Sequence, residues 1–419
     1  MDDDEYDPTD PEWPLKMCNV QAAWDLGNGI YGGKTQGEGI TIIHPDTGWT
    51  KHPELIEGDR YGYNDSRSKN FFVHVSPLGN DAYWNLPDGD PEWTDRKDKP
   101  TDKYANDTLE TGTLLQPSHG TSTASLMLSA QGYPAGFPDY SEPINHFVTG
   151  IAPKVENIPL RVTNSVILNM NTGISTYRTV ANAIFWAIGL HDIDPLSVGV
   201  ISMSLGGPAT EFGLYLGEAL KMARQRGLIM CAAAGQASGT PVYGLIAPFL
   251  PGKSEHVICV AGCDHKYGQP IDGFYGNEVD ITAPGWGVTV ARTIGATTSF
   301  TIDTNAAGTS YSTALTAGAC ALWQAYYTRD YLIKKYGHPL LHNAFKYVLQ
   351  RSCDTPGDLD GAWNSVVRGA GVLNAAALLT EPLPSFDETE EAAEAEGWGE
   401  SEWGKADLWG GNLWGRKSK

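Results

Sequence analysis

Val198-Gly199-Val200-Ile201-Ser202-Met203-Ser204-Leu205, then a helical run from Leu216 to Arg226, then Leu228-Ile229-Met230-Cys231-Ala232-Ala233-Ala234, decide the fold class of this chain. Two short apolar runs bracket one amphipathic segment, and the same rhythm continues on either side. Upstream, Asn157 to Val162 reads as a strand and Thr179 to Ile188 as a helix. Downstream, Val257 to Ala261 and Glu278 to Ile281 read as strands. Nearer the start, Gly39-Ile40-Thr41-Ile42-Ile43-His44-Pro45 is β-branched, bounded by turn residues, and reads as a buried strand. Helices are predicted from Ser312 through Trp323 and over Leu341 to Arg351, with a short one over Val20 to Trp24. Strands alternating with helices predict an α/β fold, a doubly wound, mostly parallel sheet with helices on both faces.

Composition limits what such a fold can do. The chain has 419 residues, 41% hydrophobic and 19% charged, which is globular and long enough for a sizeable core. A formal net charge of −21 excludes a general nucleic-acid binder, because phosphate contacts need clustered Lys and Arg. No apolar run approaches the roughly 18 residues of a membrane span, so no membrane contact is expected. Met1-Asp2-Asp3-Asp4-Glu5 is acidic where a secretory signal would be basic. An intracellular protein is therefore expected, unless a targeting segment has been removed. Six cysteines without C-x-x-C spacing indicate neither zinc nor a disulfide framework. Cys259 and Cys263, four apart on a predicted strand, are candidates to face the same side.

The chain divides into an N-terminal extension (1–36), a main domain (37–380) and a tail (381–419). Residues 57–117 form a long polar and aromatic insertion bordering the candidate site. In the tail, an acidic Glu/Ala run precedes Trp398-Gly399, Trp403-Gly404, Trp409-Gly410 and Trp414-Gly415. Such a segment cannot bury a core of its own, so disorder is expected, with the tryptophans as anchors for a partner.

Three places carry chemistry. Gly308-Thr309-Ser310 leads into a helix of small residues, where unpaired backbone N–H groups and the dipole favour negative charge beside Ser310. Asp46 ends a predicted parallel strand, the edge at which open α/β sheets place their sites. His119 begins a predicted helix, where the dipole disfavours its cation and suits a base that starts neutral. Taken singly, each has a plainer reading: a helix cap, a turn aspartate, a histidine satisfied at a helix start.

Together, in the order Asp46, His119, Ser310, they resemble the subtilisin-like serine proteases, the subtilases. The resemblance spans roughly residues 37 to 378. Ile42 to Gly48 with His52-Pro53-Glu54-Leu55, Ser118-His119-Gly120-Thr121 and Gly308-Thr309-Ser310 are similar to the family's three motifs. Gly150-Ile151-Ala152-Pro153, Met203 to Gly207, Val279 to Gly285 and Gly369 to Ala375 support them. The resemblance implies a subtilisin-like three-layer architecture and a serine endopeptidase acting on peptide or protein substrates. In it Ser310 attacks, His119 moves the proton and Asp46 orients His119. It places a substrate-pairing edge strand at Ser204, Leu205 and Gly206, and a pocket wall at Ala233, Ala234 and Gly235. No cofactor is required. The family often binds calcium, and Glu54 stands where a calcium-binding Asp is often found, but no complete ligand loop is legible, so no metal residue is assigned.

Two departures stand out. Gln236 replaces the oxyanion-hole asparagine, and one added methylene moves its amide by roughly 1.5 Å, where about 1 Å can cost on the order of a hundredfold in rate. Exchange of Gln236 for Asn should then raise turnover unless the turn is fitted to glutamine. The motif's Pro-His is here Ala314-Leu315, a change without chemical consequence. Gln236 and the tail motivate a second reading, a weak or inactive subtilase domain serving as a peptide-binding scaffold.

Overall fold

The computed structural model describes residues 6–50, 52–55, 62–71, 116–129, 148–167, 173–208, 213–237, 248–268, 270, 272–293, 300–356 and 363–395. Most of the 57–117 insertion and all four Trp-Gly pairs lie outside these residues. Helices α1 (Trp13–Met17) and α2 (Val20–Trp24) precede strand β1 (Thr41–Asp46). Two short strands, β2 (Gly62–Tyr63) and β3 (Lys69–Asn70), lead to helix α3 (His119–Leu128). Then come β4 (Glu156–Arg161), α4 (Gly173–Ile193), β5 (Val198–Met203), α5 (Gly213–Gln225), β6 (Ile229–Ala233), β7 (Ile258–Cys263) and β8 (Ile281–Pro284). A hairpin of β9 (Trp286–Thr293) and β10 (Phe300–Ala307) precedes α6 (Thr309–Tyr327) and α7 (Arg329–Arg351). Short α8 (Ser365–Arg368) and α9 (Ala375–Thr380) come before α10 (Phe386–Ala395).

Eight strands form one sheet in the order β2-β4-β1-β5-β6-β7-β8, with β3 also on β4, and every pairing is parallel. The predicted α/β class is therefore correct. Strand alternation explains the three layers. Ile42, Val200, Ile229 and Cys231 point into a core with Leu315 and Leu322 of α6, while Ile43, Ile201, Met230 and Ala232 meet Val180 and Ile184 of α4 and Leu216 and Leu220 of α5. From β1 the chain goes outward to β4 and returns past β1 to β5. The order of winding reverses between β1 and β5, so their carboxyl ends flank a crevice.

Several expectations change in detail. The hairpin β9–β10 is antiparallel and separate from the main sheet; no strand was expected there. The described part of the 1–36 extension joins the main core through Trp13, Met17 and Val20. The start of the tail forms a helix, in which Ser385 and Glu388 form a reciprocal capping box. Ser385 N–H donates to Glu388 Oε2 at 2.8 Å, and Glu388 N–H to Ser385 Oγ at 3.2 Å. The resulting acidic helix α10 needs no core of its own: Thr389 is buried, and Tyr347 of α7 donates to Glu388. Cys259 and Cys263 fall in different core clusters. Cys259 packs with Ala261, Tyr275 and Val279, whereas Cys263 joins the cluster containing Cys18. All six cysteines are free.

Candidate active site

Asp46 ends β1 at the crevice and is buried. Its Oδ1 accepts the Thr47 N–H at 2.7 Å and a hydrogen bond from His119 Nδ1 at 2.8 Å. The close approach depends on Gly120. A Cβ there would lie 2.0 Å from Gly48 O and 3.3 Å from Asp46 Cβ, so only glycine lets the start of α3 press onto the turn after β1. Gly120 N–H also donates to Thr47 Oγ1 at 3.1 Å. Burial pushes the Asp46 carboxyl up. The His119 charge, the hydrogen bond from His119 and the nearby His44 imidazole outweigh it, holding Asp46 well below the usual carboxylate range.

Ser310 stands in the first turn of α6, behind the turn at Gly308. Its Oγ donates to Ser204 O at 3.2 Å, and Ser204 Oγ donates back to Ser310 O at 2.8 Å. Ser310 and His119 line one cleft of about 240 Å³. The hydroxyl's hydrogen bond goes to Ser204 O, not to His119.

Gln236 reaches the same turn. Its Oε1 accepts the Thr309 N–H at 2.8 Å, and a Cβ on Gly308 would lie only 2.8 Å from that oxygen. Because Thr309 presents a donor, the amide oxygen must face it and the Nε2 hydrogens point elsewhere. Nε2 has a long 3.5 Å contact with Ala307 O.

Ser204, Leu205, Gly206, Ala233 and Gly235 line the cleft. Ala234 does not; it is buried, its N–H donating to Val260 O and its carbonyl accepting from Phe249 N–H. Gly206 N–H is donated to Val166 O at 2.9 Å, so this edge is paired within the chain. Sequence reasoning missed Phe249, Tyr311 and the Arg292–Asp303 ion pair of the hairpin (2.7 Å), all on the cleft. Tyr311 lies inside the serine motif, next to Ser310, while Phe249, Arg292 and Asp303 lie in no motif and are brought there by contacts across the fold.

Among the described residues, Oε2 of Glu54 meets hydrogen-bond donors, while its Oε1 is buried without a partner. Its Oε2 accepts the Val148 N–H at 3.3 Å and faces Ser129 Oγ at 3.2 Å. Burial raises its carboxyl to about 7, opposed by these bonds. Among the described residues, no group of three His, Cys, Asp or Glu could hold a metal ion. Nor is any described helix long and apolar enough to cross a membrane.

A wholly parallel three-layer sheet, with an Asp–His pair at its switch point and a serine at a facing helix start, defines an α/β protein with its site at the carboxyl edge of the strands. The chain belongs to the subtilase family, whose model matches residues 37–366. Over 138 residues it is 33% identical to thermitase of Thermoactinomyces vulgaris, covering 33% of this chain and 42% of thermitase. Over 374 residues it is 25% identical to an extracellular protease of Xanthomonas campestris pv. campestris, covering 87% of this chain and 54% of that protein. The chain thus spans about half the length of the curated relatives it matches. Among solved structures, the proteases from Pseudoalteromonas arctica superpose with a TM-score of 0.60 at 21% identity, covering 89% of this chain and 98% of theirs. MycP1 with its N-terminal propeptide removed gives 0.56 at 18% identity over the same shares. At these identities the likeness is one of fold.

Proposed function

We propose that this chain is a serine endopeptidase that hydrolyses peptide bonds through an acyl-enzyme. The observation that carries the reading is the buried Asp46, bonded at 2.8 Å to a His119 that opens on the same cleft as Ser310. Ser310 Oγ turns from Ser204 O toward His119, gives up its proton there and attacks the carbonyl carbon. The negative oxygen is held by the Ser310 N–H at the start of α6 and by Gln236 Nε2. His119 returns the proton to the leaving amine as the C–N bond breaks. Water then repeats the sequence on the ester, releasing the acid and restoring Ser310. Asp46 fixes the Nδ1–H tautomer of His119 and stabilises its cation.

The substrate's backbone is read along Ser204 to Gly206, exchanging the Gly206 bond to Val166 for one to the peptide. Phe249 sits between the two expected pocket walls. A Cβ on Gly206 would lie 3.2 Å from Phe249 Cβ, and one on Gly235 would lie 3.3 Å from its ring. Phe249 N–H is bonded to Ala234 O, and its ring packs edge-on against Phe274 at 4.7 Å. With that ring as its floor, the pocket takes a small side chain before the cut.

Covalent labelling by a fluorophosphonate, with Ser310→Ala as control, tests the assignment. Labelling of the wild type alone supports it. Folded wild type that neither labels nor cleaves peptides overturns it in favour of a binding scaffold.

A further inference from the structure

His44 precedes Asp46 by two residues on β1 and is 1% exposed. Residues two apart on a strand face the same side, and here that side carries α3. His44 Nε2 lies 3.1 Å from Thr123 Oγ1 of α3 and 3.6 Å from Asp46 Oδ2.

The surroundings select one protonation form. Thr123 Oγ1 has a single proton, directed at the carbonyls one turn back, His119 O at 3.1 Å and Gly120 O at 3.2 Å. It therefore turns a lone pair to His44. Nε2 faces two oxygens that both accept, so Nε2 carries a proton. Among the described residues Nδ1 is buried without a partner, and a second proton there would meet no acceptor among them. His44 is thus a neutral imidazole presenting its one N–H toward Thr123 and Asp46.

The two oxygens of Asp46 differ in a complementary way. Oδ1 holds the bonds to Thr47 N–H and His119 Nδ1. Among the described residues, Oδ2 is buried with no hydrogen bond of ordinary length, and the donor facing it is His44. A carboxylate fixed at one oxygen can still rotate about its Cβ–Cγ bond, which would take Oδ1 out of line with the imidazole.

We propose that His44 is a positioning residue of the site, its Nε2–H holding the free oxygen of Asp46 so that Oδ1 stays aimed at His119. The inference rests on the protease reading. The titratable or charged groups around it are few. On β1 there is Asp46, on α3 there is His119, and on α6 there is the buried Tyr311, whose ring lies 6.3 Å from that of His119. On β4 the neighbour of His44 in register is Pro159, while Arg161 stands opposite Asp46 and donates to Asn164 Oδ1.

The test compares His44→Gln, His44→Asn and His44→Phe in the full chain by peptide cleavage. Gln places an amide N–H where Nε2 stands, Asn places it where Nδ1 stands, and Phe removes it. His44→Phe and His44→Asn should lose roughly tenfold in kcat with KM unchanged, while His44→Gln keeps most of the activity. With no donor on Oδ2, the Asp46 charge concentrates on His119. The acidic midpoint of kcat/KM should then rise in His44→Phe and stay in place in His44→Gln. A loss of kcat shared by all three with no shift in midpoint would reduce His44 to packing and overturn the proposal. So would three fully active variants. Should His44→Phe fail to fold, Gln against Asn decides, since they differ only in reach. A wild type that neither labels nor cleaves removes the protease reading itself, an outcome visible before any variant is compared.

Discussion

The Thr309 N–H donates to Gln236 Oε1 at 2.8 Å, across the turn that presents Ser310. One contact thus fixes which end of the amide faces the backbone, and on the proposed mechanism Nε2 is the end offered to an oxyanion. An asparagine, shorter by a methylene, would have to abandon either Thr309 or the oxyanion. The exchange Gln236→Asn should therefore lower kcat, with little effect on KM, and Gln236→Ala should cost about 100 to 1,000-fold. The sequence alone favoured the opposite sign for Gln236→Asn, and steady-state kinetics on a peptide decides between them. A rise in kcat would mean that the turn is not fitted to glutamine.

Gly120 is the hinge of the Asp46–His119 contact, because the start of α3 lies against Gly48 O there. Gly120→Ala should push the helix back and cost on the order of a hundredfold in kcat, by displacing His119 from Asp46. Its thermal stability should fall too, by about 1–3 kcal/mol for the overpacked contact. Normal activity in this variant would show that α3 can shift without losing the pair.

Glu54 should give the protein a measurable pH dependence of stability. Burial raises its carboxyl from 4.5 to about 7, so the folded protein holds this proton more tightly than the unfolded chain. The resulting stabilisation is fully present below about 4.5 and is lost as pH rises through about 7. The neutral isostere Glu54→Gln should match wild type at pH 5 and melt higher at pH 8, by roughly 2–4 °C. A lower melting point at pH 8, or a calcium-dependent one abolished by the substitution, would instead assign the carboxylate to a metal.

Phe249 sets the expected specificity. Profiling on a peptide library should show cleavage after small residues, with a large aromatic at that place disfavoured on the order of tenfold or more. Phe249→Ala should reverse the ratio by opening the floor between Gly206 and Gly235. A wild-type preference for large aromatics would move the pocket elsewhere on the cleft.

Much of this was legible in one dimension. The strand-helix rhythm from Asn157 to Ala234 determined the parallel sheet, since buried strands and amphipathic helices leave local periodic marks. Asp46 at a strand end and His119 and Ser310 at helix starts were legible because backbone geometry at such ends follows from nearby residues. The Ser385–Glu388 capping box was equally local, so the helix after it was there to be read. Other features needed distant partners. Which core cluster Cys263 joins, where Phe249 packs and which oxygen of Asp46 meets His119 depend on residues tens to hundreds of positions away. So does the Gln236 amide, which Thr309 orients from 73 residues downstream. Sequence alone placed Asp46, His119 and Ser310 on a strand end and two helix starts, because secondary structure is set over short range. Only tertiary packing aimed them, because a side chain's direction is fixed by what surrounds it.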